Sequence, residues 1–369
     1  MNDMNNMRKY ELDNLRYFTV ILVVIYHVIY MYNGEASDGV AGPFRAVQYQ
    51  DAFQYLVYPW FMNLLFMISG IAANLSLQTK SPREFLKARA RRLLVPTTVG
   101  LLVFQWITGY FNMTLSDAFR KMGEGIPGIV TYLIMALSGT GVLWYIQMLF
   151  VFSLLLLPLR ALFKGRLVAL GEKTPTVVLI LLAAVALGAA QILNTPYITV
   201  YRFGIYGFSF FLGYLVLSHD TVRDRIAAFS PVLTGSAAVL GGAYAALYFG
   251  ENYAVEPTVN CPLAVIFGYF ACLAALGLGR RFFNKETRFT RFMAPRSFGL
   301  YVFHYLPIAV CGVFLPRTDF SPAVIYLITL IAAFGGGFLL NAVISRIPVV
   351  RWCVLGISSP KKEKTKNVQ

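Results

Sequence analysis

The chain has 369 residues, of which 57% are hydrophobic, 15% aromatic and only 13% charged, with a mean hydropathy of +0.62. Soluble domains carry about 25% charged residues, so this composition excludes a soluble enzyme and a disordered or collagen-like chain and points to a polytopic membrane protein. A net charge of +15 raises nucleic acid as a partner, a reading that the placement of the charges removes.

An all-α bundle of about ten transmembrane helices is predicted, taking about 20 apolar residues to cross a ~30 Å hydrocarbon core. In chain order the spans fall near 15–32, 55–78, 93–112, 142–163, 176–193, 199–217, 231–250, 260–280, 298–315 and 322–347. The first is too long for a cleavable signal, has no small-residue cleavage site after it, and is interrupted by Arg16 and His27. Turn formers and charges punctuate the gaps, as in Lys80-Ser81-Pro82-Arg83 and Gly171-Glu172-Lys173-Thr174-Pro175. The 113–141 connection, rich in glycine, is predicted to be a long loop without regular structure, a binding loop or lid. Gly335-Gly336-Gly337 marks a possible break in the tenth span. Residues 1–350 form one membrane-embedded domain and 351–369 a basic cytoplasmic tail.

Assigning the loops alternately to two sides places 27 of the 32 basic residues on the side of the N-terminus. Only Arg45, Arg120, Lys121, Arg202 and Arg317 fall on the other. By the positive-inside rule both termini are cytoplasmic in a multi-pass protein of the plasma (inner) membrane. The excess charge then faces cytosol and anionic lipid of the bilayer, and no nucleic acid is expected. Cys261, Cys272, Cys311 and Cys353 form no CxxC pair and lie in or beside apolar runs. That pattern argues against a disulfide framework and against a metal site.

Ionisable groups inside a bilayer are expensive and rarely idle. Of three histidines, His27 lies eleven residues beyond Arg16. That is about three helical turns and ~16 Å of rise, which puts both on one face. Arg16 then sits at the cytoplasmic mouth and His27 about mid-membrane. Arg89 and Arg92, three residues apart before the third span, share a face if that stretch is helical, with Arg91 pointing elsewhere. Guanidinium forks match phosphate, so Arg16, Arg89 and Arg92 are predicted to cradle a polyphosphorylated cytosolic ligand. Lipid-facing snorkelling is the other reading of the same arginines.

Five elements in order carry a resemblance. Leu12-Asp13-Asn14-Leu15-Arg16 with His27, Phe66-Met67-Ile68-Ser69-Gly70, Arg89-Ala90-Arg91-Arg92 with Pro96, Trp144-Tyr145, and Ser297-Phe298-Gly299-Leu300-Tyr301-Val302-Phe303-His304 together resemble the acyltransferase 3 family. The departure is Leu65, where the family usually places a phenylalanine. The resemblance implies a membrane O-acyltransferase that takes an acyl group, acetyl or succinyl, from cytosolic acyl-CoA. The acyl group would pass to a hydroxyl of an extracytoplasmic acceptor, a cell-envelope glycan or polysaccharide. It implies acyl-CoA as co-substrate with no permanently bound cofactor, Arg16, Arg89 and Arg92 on the CoA phosphates, and His27 as general base. A histidine suits that task because its unperturbed pKa is about 6.5.

Trp144 Nε1 or the Tyr145 hydroxyl is a candidate oxyanion donor, with interfacial anchoring as the other reading. No carboxylate lies mid-span to orient His27; Asn63, Ser69 or Glu256, on the loop before the eighth span, are candidates. Ser69-Gly70 also reads as a close helix–helix contact. His304 is expected to contact the pantetheine arm or to pack in the core. Tyr30, with Tyr26 and Tyr58, belongs to an aromatic cluster that suits a sugar or a membrane-interface belt, and the 113–141 loop is expected to cover the acceptor site. The alternative function is a secondary transporter with an intramembrane His/Arg pathway. Oligomeric state stays open.

Overall fold

The computed structural model describes residues 9–35, 39–123, 125–195 and 198–358. Most of the expected basic tail, 359–369, lies outside them. The chain opens with α1 (Tyr10–Met31) and, after a short 3₁₀ turn, α2 (Ala52–Thr79). α3 (Pro82–Arg89) leads through two π-helical turns, Ala90–Leu94 and Leu101–Gln105, into α4 (Trp106–Leu115). Then come α5 (Ala118–Lys121), α6 (Gly128–Ser138), α7 (Trp144–Phe163), α8 (Arg166–Glu172), α9 (Thr176–Ala190) and α10 (Phe203–Leu215). The chain continues with α11 (Asp220–Ala228), α12 (Ser230–Tyr248), α13 (Pro262–Phe282) and α14 (Arg288–Met293). It closes with α15 (Ser297–Phe303), α16 (Tyr305–Phe314), α17 (Pro322–Arg346) and α18 (Pro348–Leu355). No strand occurs among the described residues beyond one isolated bridge, Asn194 with Arg202. The chain is an all-α polytopic membrane protein.

Among the described residues, seven helical segments are long and apolar enough to cross a membrane: α1, α2, α7, α12, α13, the α15–α16 pair and α17. The spans expected at 176–193 and 199–217 correspond to the shorter α9 and α10. The one expected at 93–112 is interrupted, because Pro96 has no N–H to continue an α ladder. There Val95 N–H bonds back to Ala90 and Gly100 N–H to Val95, each at 3.0 Å. Ser81, by contrast, starts α3 as expected of a turn former: its hydroxyl accepts from Glu84 N–H while the Glu84 carboxylate accepts from Ser81 N–H.

Three other expectations are corrected. The 113–141 connection is largely helical, with α6 packed on α4. Cβ atoms placed on Gly109 and Gly139 would stand 1.7 and 1.9 Å from the carbonyl oxygens of Met135 and Gln105, so only glycine permits that approach. Gly335–Gly337 lie inside an unbroken α17, which removes the break that favoured a transporter. The packed structure also continues past residue 350, since Arg92 donates to the Leu355 carbonyl at the end of α18 at 3.2 Å.

The bundle core is built around α1 and α2. Gly70 of α2 and Gly213 of α10 face the opposite backbones, where a Cβ would meet Phe210 O at 2.0 Å and Met67 O at 2.1 Å. This is the close contact read from Ser69-Gly70. Glu11 anchors the start of α1: 1% exposed, it bonds to Arg280 of α13 at 3.0 Å and lies 3.7 Å from Arg223 of α11. Lys9 pairs with Asp220 at 2.7 Å. Both described ends of the chain therefore lie at one end of the bundle, beside the arginines of α3 and its π turn.

Candidate active site

Two cavities lie one above the other along α1. The first, of about 460 Å³, opens at the end of the bundle where α1 begins and is lined by Arg16, Lys80, Arg89, Arg92, Ser69 and Tyr145, among others. Arg16 is held by Asp13 at 3.2 Å. The Arg89 guanidinium sits 5.0 Å from the Phe85 ring and that of Arg92 5.1 Å from Phe298. Neither belongs to an ion pair among the described residues. Burial and the nearby Arg16 guanidinium push Arg89 down to about 10 from its ordinary 12.5, so it stays protonated at neutral pH. Three guanidiniums converge with a single carboxylate, Asp13, against one of them. Arg91 points away and donates to Ser358 at 2.9 Å.

The second cavity, of about 210 Å³, lies farther along α1 and is lined by His27, Tyr26, Tyr30, Tyr58, Trp144 and Tyr305, among others. Tyr301 is a wall of both cavities; its hydroxyl donates to the Val142 carbonyl. Tyr301 entered the sequence reading only as part of the Ser297–His304 element; its place between the cavities depends on how α15 packs beside α7.

The imidazole of His27 is oriented by neighbours that sequence reasoning missed. Its Nδ1 lies 2.7 Å from the Val23 carbonyl, one turn back, and 3.3 Å from Nε2 of His304. His304 Nδ1 faces the carbonyls of Tyr301 at 2.9 Å and Leu300 at 3.2 Å. Carbonyls only accept, so His304 carries its hydrogen on Nδ1 and presents a lone pair from Nε2. His27 Nδ1 must then carry hydrogen toward both acceptors. The His27 Nε2 lone pair is left free, the tautomer a general base requires.

The remaining expected site residues divide between these places. Trp144 and Tyr30 line the His27 cavity, and Trp144 Nε1 donates to none of the described residues. Tyr145 lies on the arginine side instead, bonded to Ser69 Oγ at 2.8 Å and to the Leu65 carbonyl at 3.3 Å. That corrects its assignment as an oxyanion donor beside His27 and removes Ser69 as the imidazole's partner. Asn63 is likewise committed, to Pro59 and Ser209. His304 is fully buried behind His27 and lines neither cavity, which is the core-packing alternative of the two expected for it. Glu256 does not reach His27; its Oε1 accepts from Asn194 at 3.0 Å and Asn260 at 2.7 Å. It lines a third cavity, of about 390 Å³, that shares Thr199 and Ala254 with the His27 cavity.

The acyltransferase 3 family model, described as an acyltransferase domain, matches residues 9–342. Two relatives, the glucans biosynthesis proteins C of Salmonella typhimurium and of Salmonella typhi, are each 20% identical over 381 aligned positions. Each alignment covers 96% of this chain and 97% of the relative. No solved structure matches the chain.

Proposed function

Since the chain belongs to the acyltransferase 3 family and is a membrane acyltransferase, we propose that it moves an acyl group, acetyl or succinyl, from cytosolic acyl-CoA to a hydroxyl of a saccharide across the plasma membrane. The observation that carries this reading is the stacking of an arginine cavity and a free imidazole nitrogen along α1, with Tyr301 as their common wall. Guanidiniums short of counter-ions suit the phosphates of CoA. The pantetheine arm then passes Tyr145 and Tyr301 to bring the thioester to His27.

In the transfer step His27 Nε2 takes the proton of the acceptor hydroxyl as its oxygen attacks the thioester carbonyl. The tetrahedral oxyanion accepts from Trp144 Nε1, which lines the same cavity and donates to none of the described residues. Collapse breaks the carbon–sulfur bond, and the leaving thiolate recovers the proton from His27, giving CoA and the ester. The acceptor enters from the end opposite the arginines, against Tyr26, Tyr30 and Tyr58. The relatives are named for glucan biosynthesis, which favours a glucan or similar envelope glycan.

Inverted membrane vesicles test the reading. Acyl-labelled acyl-CoA is added outside, on the cytosolic face, with glycan enclosed within. Ester label on the enclosed glycan, absent from vesicles lacking the protein, is expected. Label that reaches glycan only when donor and acceptor share one face would overturn it.

A further inference from the structure

The third cavity holds a cation that the transfer chemistry leaves unused. Arg202, the residue just before α10, is only 5% exposed. One of its Nη groups donates to the Val259 carbonyl at 3.3 Å and to Asn260 Oδ1. Its Nε has no partner, and it belongs to none of the ion pairs among the described residues. The acid connected to it is one amide away: Asn260 Nδ2 donates to Glu256 Oε1, and a second amide, Asn194 Nδ2, takes the same oxygen. A buried charge is tolerated when an opposite charge or a full set of hydrogen bonds compensates it. Arg202 has neither.

Arg202 lines the cavity of about 390 Å³ together with Asn194, Thr195 and Glu256. Thr199 and Ala254 line both this cavity and the His27 cavity, so a molecule presenting a hydroxyl to His27 extends into it. We propose that Arg202 is an anion subsite for the acceptor. It takes a carboxylate or phosphate on the unit next to the one acylated, so the protein prefers anionic over neutral saccharides. The proposal rests on the acyl-transfer reading for the identity of its ligand, but the binding it requires is measured without any transfer. Guanidinium is the side chain suited to such a group, being always charged and weakly hydrated.

The test uses the full chain in lipid nanodiscs and three disaccharide probes: cellobiose, cellobiouronic acid and cellobiose 6-phosphate. Saturation-transfer NMR and competition give their affinities for the wild type, Arg202→Gln and Arg202→Lys. Expected is at least about tenfold tighter binding of one or both charged probes than of cellobiose, as for one charge-assisted contact. Which charged probe wins distinguishes carboxylate from phosphate. The preference should vanish in Arg202→Gln and persist in part in Arg202→Lys, with acyl-CoA binding at the arginine cavity showing that each variant is folded. Equal affinity of the wild type for all three probes, or binding of none, overturns the proposal whether or not the variants fold. So does a preference that survives in folded Arg202→Gln, which would leave Arg202 as a tie for the 258–260 turn. An Arg202-dependent preference without acyl transfer to the bound probe would count against the transfer reading alone.

Discussion

His27 Nδ1 is held from two directions, by the Val23 carbonyl at 2.7 Å and His304 Nε2 at 3.3 Å. On the proposed mechanism His304 acts through His27 as a positioning residue. Replacing it by alanine frees the imidazole to turn, and kcat should fall about 10–100-fold, the range seen when the partner orienting a metal-bound histidine is lost. Acyl-CoA affinity should stay at the wild-type value, and His304→Asn, which keeps an acceptor, should recover part of the rate. Loss of affinity together with rate would mark His304 as a packing residue only. Trp144 and Tyr145 separate in the same way. Trp144→Phe removes the proposed oxyanion donor of the His27 cavity and should lower kcat about 10²–10³-fold, whereas Tyr145→Phe breaks a bond to Ser69 in the other cavity and should leave kcat near wild type. Steady-state kinetics of the two variants, side by side, checks the assignment. At this scale the placement of Arg16, Arg89 and Arg92 about one cavity, with His27 farther along α1, was legible because each spacing lies within one helix or one short segment. The His27–His304 contact was not. Helical rise fixes heights along one helix but not the offset between two.

At the scale of elements, the register of α1 depends on its first turn. Glu11, Arg223, Arg280 and Asp220 tie it to α11 and α13. Removing Glu11 leaves Arg223, itself 1% exposed, beside no buried carboxylate. Glu11→Ala should cost about 3–5 kcal/mol, read as a lower unfolding temperature in detergent with parallel loss of activity. Asp220 gives the cluster a pH dependence. Burial alone would raise its carboxyl, but Lys9, Arg223 and Arg280 hold it below the usual carboxylate range. A folded-state value below the unfolded one means that its stabilising contribution is complete above the unfolded value, 3.8, and is lost as pH falls through the folded one. Thermal unfolding of wild type and Asp220→Asn should thus converge in acid and diverge toward neutrality. Sequence periodicity found the long helices, whose apolar runs have one explanation. It misread 93–112 and 113–141, where π turns around Pro96 and the glycine contact of α4 with α6 depend on a packing partner.

For the whole molecule, the arginine cavity, the His27 cavity and the Arg202 cavity follow one another along the bundle from the end where α1 begins. On the proposed reading that end faces the cytosol, as the ten-span division of the basic residues, 27 against 5, leads one to expect. On intact cells carrying a cysteine-free background, a membrane-impermeant maleimide should label Arg317→Cys and not Arg291→Cys, both at exposed positions; the opposite pattern would invert the path. Composition alone made the membrane class legible, since too few charges remain to cover a soluble surface. The cavities were not legible, because each is bounded by helices far apart in the chain.

On the proposed mechanism, binding of the donor and activation of the acceptor are separate functions of separate cavities. Acyl-CoA binding and single-turnover transfer, measured on His27→Ala and Arg89→Gln in nanodiscs, test it most directly. His27→Ala should bind acyl-CoA as the wild type does and transfer about 10²–10⁴-fold more slowly. Arg89→Gln should weaken acyl-CoA binding about 10–100-fold while transferring near the wild-type rate once saturated. Wild-type transfer by His27→Ala, or loss of acyl-CoA binding with His27, would contradict the account.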